Sequence, residues 1–146
     1  MNNSPESLPP MWVKIVNVTF LIWNLFGLMI FALAMTVFRE PQALADQGLN
    51  EKQIEITLAT PAWVNAAFGT AVITGVLGCL CLIFRKKAAI VLLAISLAAV
   101  LTQNTHMYLL SDTIKHMGVG ASPLVIAGAV FLVPYALWCS RRGWIQ

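Results

Sequence analysis

Four long apolar stretches, separated by polar connections, divide the sequence. They cover residues 11–38, 62–84, 88–110 and 122–140. The second and third stretches contain no Asp, Glu, Lys or Arg, and each exceeds the roughly 20 apolar residues that a helix needs to cross a bilayer. The pattern therefore predicts an all-α membrane protein. Its four transmembrane helices would form one domain, residues 1–146, and the short links favour an up-down-up-down bundle.

The connection between the second and third stretches consists only of cations: Arg85, Lys86 and Lys87. Because charged side chains are costly in hydrocarbon, the chain must leave the membrane at this point and turn back. These two stretches are therefore predicted to form a tight helical hairpin.

The polar connection at residues 39–60 is predicted to contain short helices between the first two spans. Pro41 suits a first helical position and Gly48 a position after a helix end, which favours a helix over residues 41–47. Asn50 and Gln53 have the spacing of a capping box, which would start a second helix.

The fourth stretch follows a predicted loop at residues 111–121. Ser122 is expected to cap the helix, with Pro123 at its first position. Pro134 should kink this helix. The aromatic residues beside it, Tyr135 and Trp138, are either part of an inner gate or ordinary packing at the membrane interface.

Small residues recur along one face of the second span. Ala67, Ala71, Gly75 and Cys79 follow one another every four residues, and Gly78 widens the same face. Such a stripe lets another helix approach closely. It is expected to pack against a helix of the same chain, a second copy in a homodimer, or a larger membrane partner.

The few charges are unevenly distributed between the two ends of the predicted bundle. Charged residues make up 10% of the chain, compared with about 25% in a soluble domain. One side, which holds both chain ends, carries Lys14, Arg85, Lys86, Lys87, Arg141 and Arg142. The positive-inside rule then predicts cytoplasmic termini in a bacterial inner membrane and a periplasmic segment at 39–60. We attribute the formal net charge of +3 to these cations at the membrane edge, which set the orientation of the chain. We expect the lipid bilayer as a partner and no nucleic acid.

Neutral polar side chains gather at similar depth in the outer half of the predicted bundle. They are Asn24, Asn65, Gln103, Asn104 and His106. Because amides donate and accept hydrogen bonds, these residues could line a cavity that is open to the periplasm and binds a neutral polyhydroxy ligand. Alternatively, they tie helices together in pairs, as buried amides do in many membrane bundles. The sequence leaves both interpretations open.

Several kinds of chemistry lack the residues that they need. No Asp or Glu lies inside an apolar stretch, so a proton-coupled exchanger of the small multidrug type would lack its carboxylate. The chain has no Gly-rich phosphate loop, and Ser96 and Ser140 have no base nearby in the sequence. The cysteines lack the spacing of a zinc site. We therefore expect no enzymatic activity, no metal and no cofactor.

Short motifs are spread over nearly the whole chain: Pro10-Met11-Trp12, Ile22-Trp23-Asn24-Leu25-Phe26-Gly27, Pro61-Ala62-Trp63, Gly78-Cys79, Arg85-Lys86-Lys87 and Gly143-Trp144-Ile145. Their order resembles a family of small bacterial four-helix membrane proteins whose members often carry the label "sugar transporter". The resemblance implies a bundle of this size in the inner membrane. It lends no defined substrate and no site residues.

Two functions are compatible with these observations. The first is passage of a small neutral, sugar-like solute across the membrane, for which a homodimer packed on the small-residue stripe is expected. The second is a non-catalytic accessory or assembly role in a larger membrane complex. We call Asn24, Asn65, Gln103, Asn104 and His106 the polar belt. The first function predicts that water reaches these side chains. The second predicts that they are shielded from water and paired with one another.

Overall fold

The computed structural model describes residues 8–146. Within this range four helices are long and apolar enough to cross a membrane: α1 (Met11–Thr36), α4 (Ala62–Ile83), α5 (Ala88–Thr105) with the π-helical turn His106–Leu110 that continues it, and α7 (Ser122–Arg141). The connections in the same range hold three short helices: α2 (Pro41–Asp46), α3 (Glu51–Leu58) and α6 (Thr113–Met117). The predicted fold class is confirmed, and the chain is a multi-pass membrane protein.

The hairpin of α4 and α5 is the centre of the bundle. α1 packs on α4, and α7 packs on α5. We call the end that carries Lys14, the 85–87 turn and Arg141 the basic end. We call the end that carries residues 37–61 and 106–121 the loop end.

The small residues of α4 allow the close approach of its neighbours in the bundle. Gly75, Gly78 and Cys79 are buried, and so is Ala71, whereas Ala67 is half-buried. A Cβ atom on Gly78 would lie 2.8 Å from the Leu93 side chain of α5. The buried part of the stripe therefore packs against helices of the same chain, which is one of the three arrangements that the sequence allows.

A left-handed backbone at Arg85, with φ of 61°, ends α4 and turns the chain toward α5. The amides of Arg85 and the next residue bond back to the last turn of α4 in a Schellman arrangement. The turn is fixed to the C-terminal segment, because the Lys87 amide donates to the Gln146 carbonyl at 2.8 Å and the Gln146 amide donates to the Arg85 carbonyl at 2.7 Å. The largest hydrophobic core lies beside this turn, at the basic end.

The predicted capping box of α3 is confirmed at the loop end. The Gln53 amide donates to Asn50 Oδ1, and the Asn50 amide donates to Gln53 Oε1, both at 3.0 Å. The Gln53 side chain also donates to the His116 carbonyl at 2.8 Å, which ties α3 to α6. Beside this contact the Lys115 ammonium holds the pKa of Asp112 below its usual range. That ion pair is exposed, so it adds little stability.

The structure differs from the sequence-based prediction at several helix ends and in one loop. α1 ends at Thr36 instead of residue 38, and the third span changes from α-helical to π-helical at His106. The predicted loop at 111–121 contains α6. The residue before α7 is Ala121, not Ser122, and it makes no side-chain capping bond.

Candidate functional site

The four long helices enclose a cavity of about 310 Å³ in the half of the bundle nearer the loop end. Its walls are mainly apolar and aromatic, with Phe20 and Trp23 from α1 and Phe68 from α4 among them. Its polar residues are all neutral: Asn24, Ser96, Gln103, Asn104 and Ser122. Apolar walls with a few converging polar groups, and a volume in the range of roughly 300–1,000 Å³, are usual for small-molecule sites.

Asn24 lies where α1 crosses α4. Its amide nitrogen donates to the Phe20 carbonyl at 2.8 Å and to the Cys79 sulfur at 3.6 Å. Its amide oxygen lies against Gly75, at the position where any other residue would place a Cβ atom. The glycine on α4 therefore makes room for the amide on α1.

Ser96 joins the two helices of the central hairpin. Its hydroxyl donates to the Ala71 carbonyl at 2.7 Å, and the side chain is buried. Ser96 is not among the five residues that the sequence predicted at this depth. The available signal was its spacing, because Ser96 lies seven residues before Gln103 and therefore on the same face of α5.

Asn104 and Ser122 close the loop-end corner between α5 and α7. The Asn104 amide nitrogen donates to the Val100 carbonyl at 2.7 Å, and its oxygen accepts a hydrogen bond from the Ser122 hydroxyl. This bond explains why the predicted cap of α7 is wrong. The Ser122 side chain bonds to another helix instead of to the first amides of its own.

Gln103 differs from the other polar residues of the cavity because its amide makes no hydrogen bond to any residue in the range 8–146. The side chain is half-buried, so its donors and its acceptor are available within the cavity. Asn24 and Gln103 line the same space but form no direct hydrogen bond with each other.

Asn65 and His106, two of the residues expected in the polar belt, do not line the cavity. Asn65 lies about one turn beyond Phe68 toward the loop end. His106 lies on another face of the helix and packs edge-on against Trp63, with ring centroids 5.4 Å apart. Both residues lie near the depth that the sequence predicted. Asn65 is too far along α4 to reach the cavity, and His106 points away from it, toward Trp63.

Toward the basic end the cavity is closed by packed side chains. Tyr135 of α7 is buried, and its hydroxyl shares its single proton between Asn17 Oδ1 at 3.0 Å and the Val13 carbonyl at 3.3 Å. Trp138 packs against Trp12, with ring centroids 5.5 Å apart. We call these residues of α1 and α7 the floor.

The cavity thus has a closed floor, a polar corner at the loop end and no ionisable side chain in its walls. Its chemistry is hydrogen bonding to a neutral molecule with an apolar body. No protein-family model, no curated protein and no solved structure matches the chain.

Proposed function

We propose that the protein binds a small neutral solute in the cavity and moves it across the membrane. One observation supports this most directly: the Gln103 amide lies in the cavity wall and has no protein partner within residues 8–146. A buried amide without a hydrogen-bond partner lowers the free energy of unfolding by roughly 1–3 kcal/mol. A polar ligand group or water at this position removes that cost.

The absence of charge in the cavity wall sets the ligand class in this proposal. An ionic solute would lose its hydration without gaining a counter-charge, which is costly in a low-dielectric environment. A small neutral solute can form hydrogen bonds through its hydroxyl or carbonyl groups to Gln103 and to the remaining donors and acceptors of the other polar side chains. In this proposal the protein is not an enzyme and needs no cofactor.

Passage also requires a route past the floor. The cation bias supports a periplasmic loop end and a cytoplasmic basic end in a bacterial inner membrane. The solute then meets the cavity from the periplasmic half and leaves after α1 and α7 separate at the floor. This movement has to break the Tyr135–Asn17 hydrogen bond.

The accessory role remains the second hypothesis from the sequence. It predicts that the polar residues of the belt are paired and dry. Asn104 and Ser122 fit that prediction, but Gln103 does not. The unpaired amide therefore favours the solute-binding proposal.

The proposal is tested with the purified protein in lipid vesicles. After a hyperosmotic step with glycerol or xylose, light scattering in a stopped-flow instrument follows solute entry. We expect protein-containing vesicles to recover their volume faster than protein-free vesicles. The variant Ala129→Phe places a ring in the cavity wall and should remove most of this difference.

Ala127→Phe is the matched control, because Ala127 is exposed on the outer face of the same helix. It should leave the rate unchanged. Equal rates with and without protein, for both solutes, would overturn the passage proposal. A folded Ala129→Phe variant with the parental rate would show that the solute does not use this cavity.

A further inference from the structure

The side chains that line the cavity are unequally exposed around its circumference. Those from α4 and α5 are buried or half-buried. The exposed ones belong to α1 and to the residue that precedes α7: Trp23 is 40% exposed, Phe26 is 57% exposed, and Ala121 is also exposed. The cavity wall therefore reaches the protein surface between α1 and α7.

The aromatic and hydrogen-bond contacts between α1 and α7 lie in the half of the bundle near the floor. They include the ring contacts of Trp12 with Trp138 and of Phe20 with Phe131, and the Tyr135–Asn17 bond. Toward the loop end the cavity is lined by the small residues Ala121, which precedes α7, and Gly128 and Ala129 of α7. A Cβ atom on Gly128 would have only Phe20 nearby, at 3.5 Å. We call the loop-end half of the α1–α7 boundary the seam.

The seam lies at hydrocarbon depth. Trp23 and Phe26 are roughly 18 and 22 Å along α1 from Met11, at about 1.5 Å per residue. The hydrocarbon core is about 30 Å thick, so both residues face lipid chains instead of water. An opening at this depth admits molecules that are dissolved in the bilayer.

From these observations we infer that the cavity takes its ligand sideways from the bilayer, through the seam, and that the ligand is a neutral amphiphile with one apolar chain and a small hydroxyl or carbonyl head. The inference rests on the binding step of the proposed function and narrows its substrate class. The head bonds to Gln103, and the chain follows the aromatic residues of α1 out through the seam.

The cavity wall favours this class over a free sugar. Each hydroxyl of a sugar needs a hydrogen-bond partner when it leaves water, and most of the wall is aromatic or aliphatic. A lipid with a charged head has no counter-charge in the wall. An alkyl chain can pack against the apolar wall, and a single neutral head can form a hydrogen bond with the unpaired Gln103 amide.

The test uses hexadecanol with a photoreactive diazirine beside its hydroxyl, added to the protein in lipid nanodiscs. After illumination, mass spectrometry maps the modified residues. Val100 and Leu101 are neighbours on α5, but Val100 is 5% exposed and lines the cavity, whereas Leu101 is 46% exposed. Lipid on the outer surface can modify only Leu101. We expect modification of Val100 as well, and we expect unlabelled hexadecanol to compete at Val100 but not at Leu101.

Two comparisons make the test specific. Gly128→Leu fills the seam and should lower modification of Val100 at least fivefold, whereas Ala127→Leu on the outer face should not. A hexadecyl sulfonate with the same diazirine should modify Leu101 and not Val100. The inference is overturned if Val100 is never modified, if competition is absent there, if folded Gly128→Leu leaves it unchanged, or if the sulfonate modifies it equally.

The outcomes separate this inference from the passage proposal. Modification of Val100 without faster solute entry into vesicles would support the lateral entrance and contradict passage. Faster solute entry without modification of Val100 would support passage and overturn the entrance through the seam. If Gly128→Leu does not fold, competition by unlabelled hexadecanol in the parent protein decides the question.

Discussion

Gly75 has the most constrained environment of the glycines on α4. Its missing side chain leaves room for the Asn24 amide oxygen of α1, and Ser96 Oγ of α5 would lie 3.3 Å from an added Cβ atom. A larger residue therefore has to push both neighbouring helices away from α4. Membrane helices depend on such close packing, because lipid gives them little hydrophobic drive to associate.

Gly75→Leu should therefore destabilise the bundle by at least the roughly 1–3 kcal/mol that overpacking costs. Unfolding of the purified protein in detergent, by heat or by SDS, measures the effect. Ala66→Leu is the control, because Ala66 is an exposed residue of the same helix. Gly75→Ala should give an intermediate loss. Equal stability of Gly75→Leu and the control would contradict the close packing of α1 and α5 around Gly75.

At the scale of single helices, local sequence signals predicted some features well. The capping box of α3 depends only on Asn50 and Gln53, so it was readable without tertiary context. The start of α7 could not be predicted in this way, because the Ser122 hydroxyl bonds to Asn104 on another helix. The π-helical turn at His106–Leu110 has no comparable local signal. Features were predictable where both partners are close in sequence.

The floor between α1 and α7 gives a prediction at the same scale. Asn17 is 5% exposed, and its amide oxygen accepts a hydrogen bond from Tyr135. Tyr135→Phe leaves that oxygen unsatisfied and should cost about 1–3 kcal/mol of unfolding free energy. Tyr108→Phe is the matched control, because Tyr108 is exposed at the loop end, and it should change little.

Removing both partners tests the physical cause. Tyr135→Phe combined with Asn17→Leu leaves no polar atom unpaired at the floor and should recover most of the lost stability. An SDS titration of the four proteins, the parent, both single variants and the double variant, gives the coupling energy. A double variant as unstable as the sum of its single changes would mean that the hydrogen bond does not hold the floor.

Across the whole molecule, packing is dense at the basic end and open in the half nearer the loop end. Hydrophobic patterning predicted the four spans, and depth along each span predicted a polar belt that includes Asn24, Gln103 and Asn104. It could not predict which face of each helix points inward. That rotation depends on contacts between distant residues, such as His106 with Trp63. For the same reason the aromatic walls of the cavity were not predicted.

The distribution of cations gives the last prediction, the orientation of the whole molecule. The basic end carries Lys14, Arg85, Lys86, Lys87, Arg141 and Arg142, whereas at the loop end Arg39, Lys52 and Lys115 lie among several carboxylates. Since positively charged loops stay in the cytoplasm, we expect the basic end inside and residues 39–60 outside. Gln47 and Lys86 are exposed at opposite ends, which makes them suitable labelling positions.

Gln47→Cys and Lys86→Cys are placed separately in a variant whose native cysteines, Cys79, Cys81 and Cys139, are replaced by alanine. A membrane-impermeant maleimide added to intact spheroplasts should label the first variant at once and the second only after lysis. Replacing Arg85, Lys86 and Lys87 by glutamine should weaken this preference and give a mixture of orientations, because the strongest group of cations is then absent. Labelling of Lys86→Cys in intact spheroplasts, before any such replacement, would reverse the orientation and place the cavity in the cytoplasmic half of the membrane.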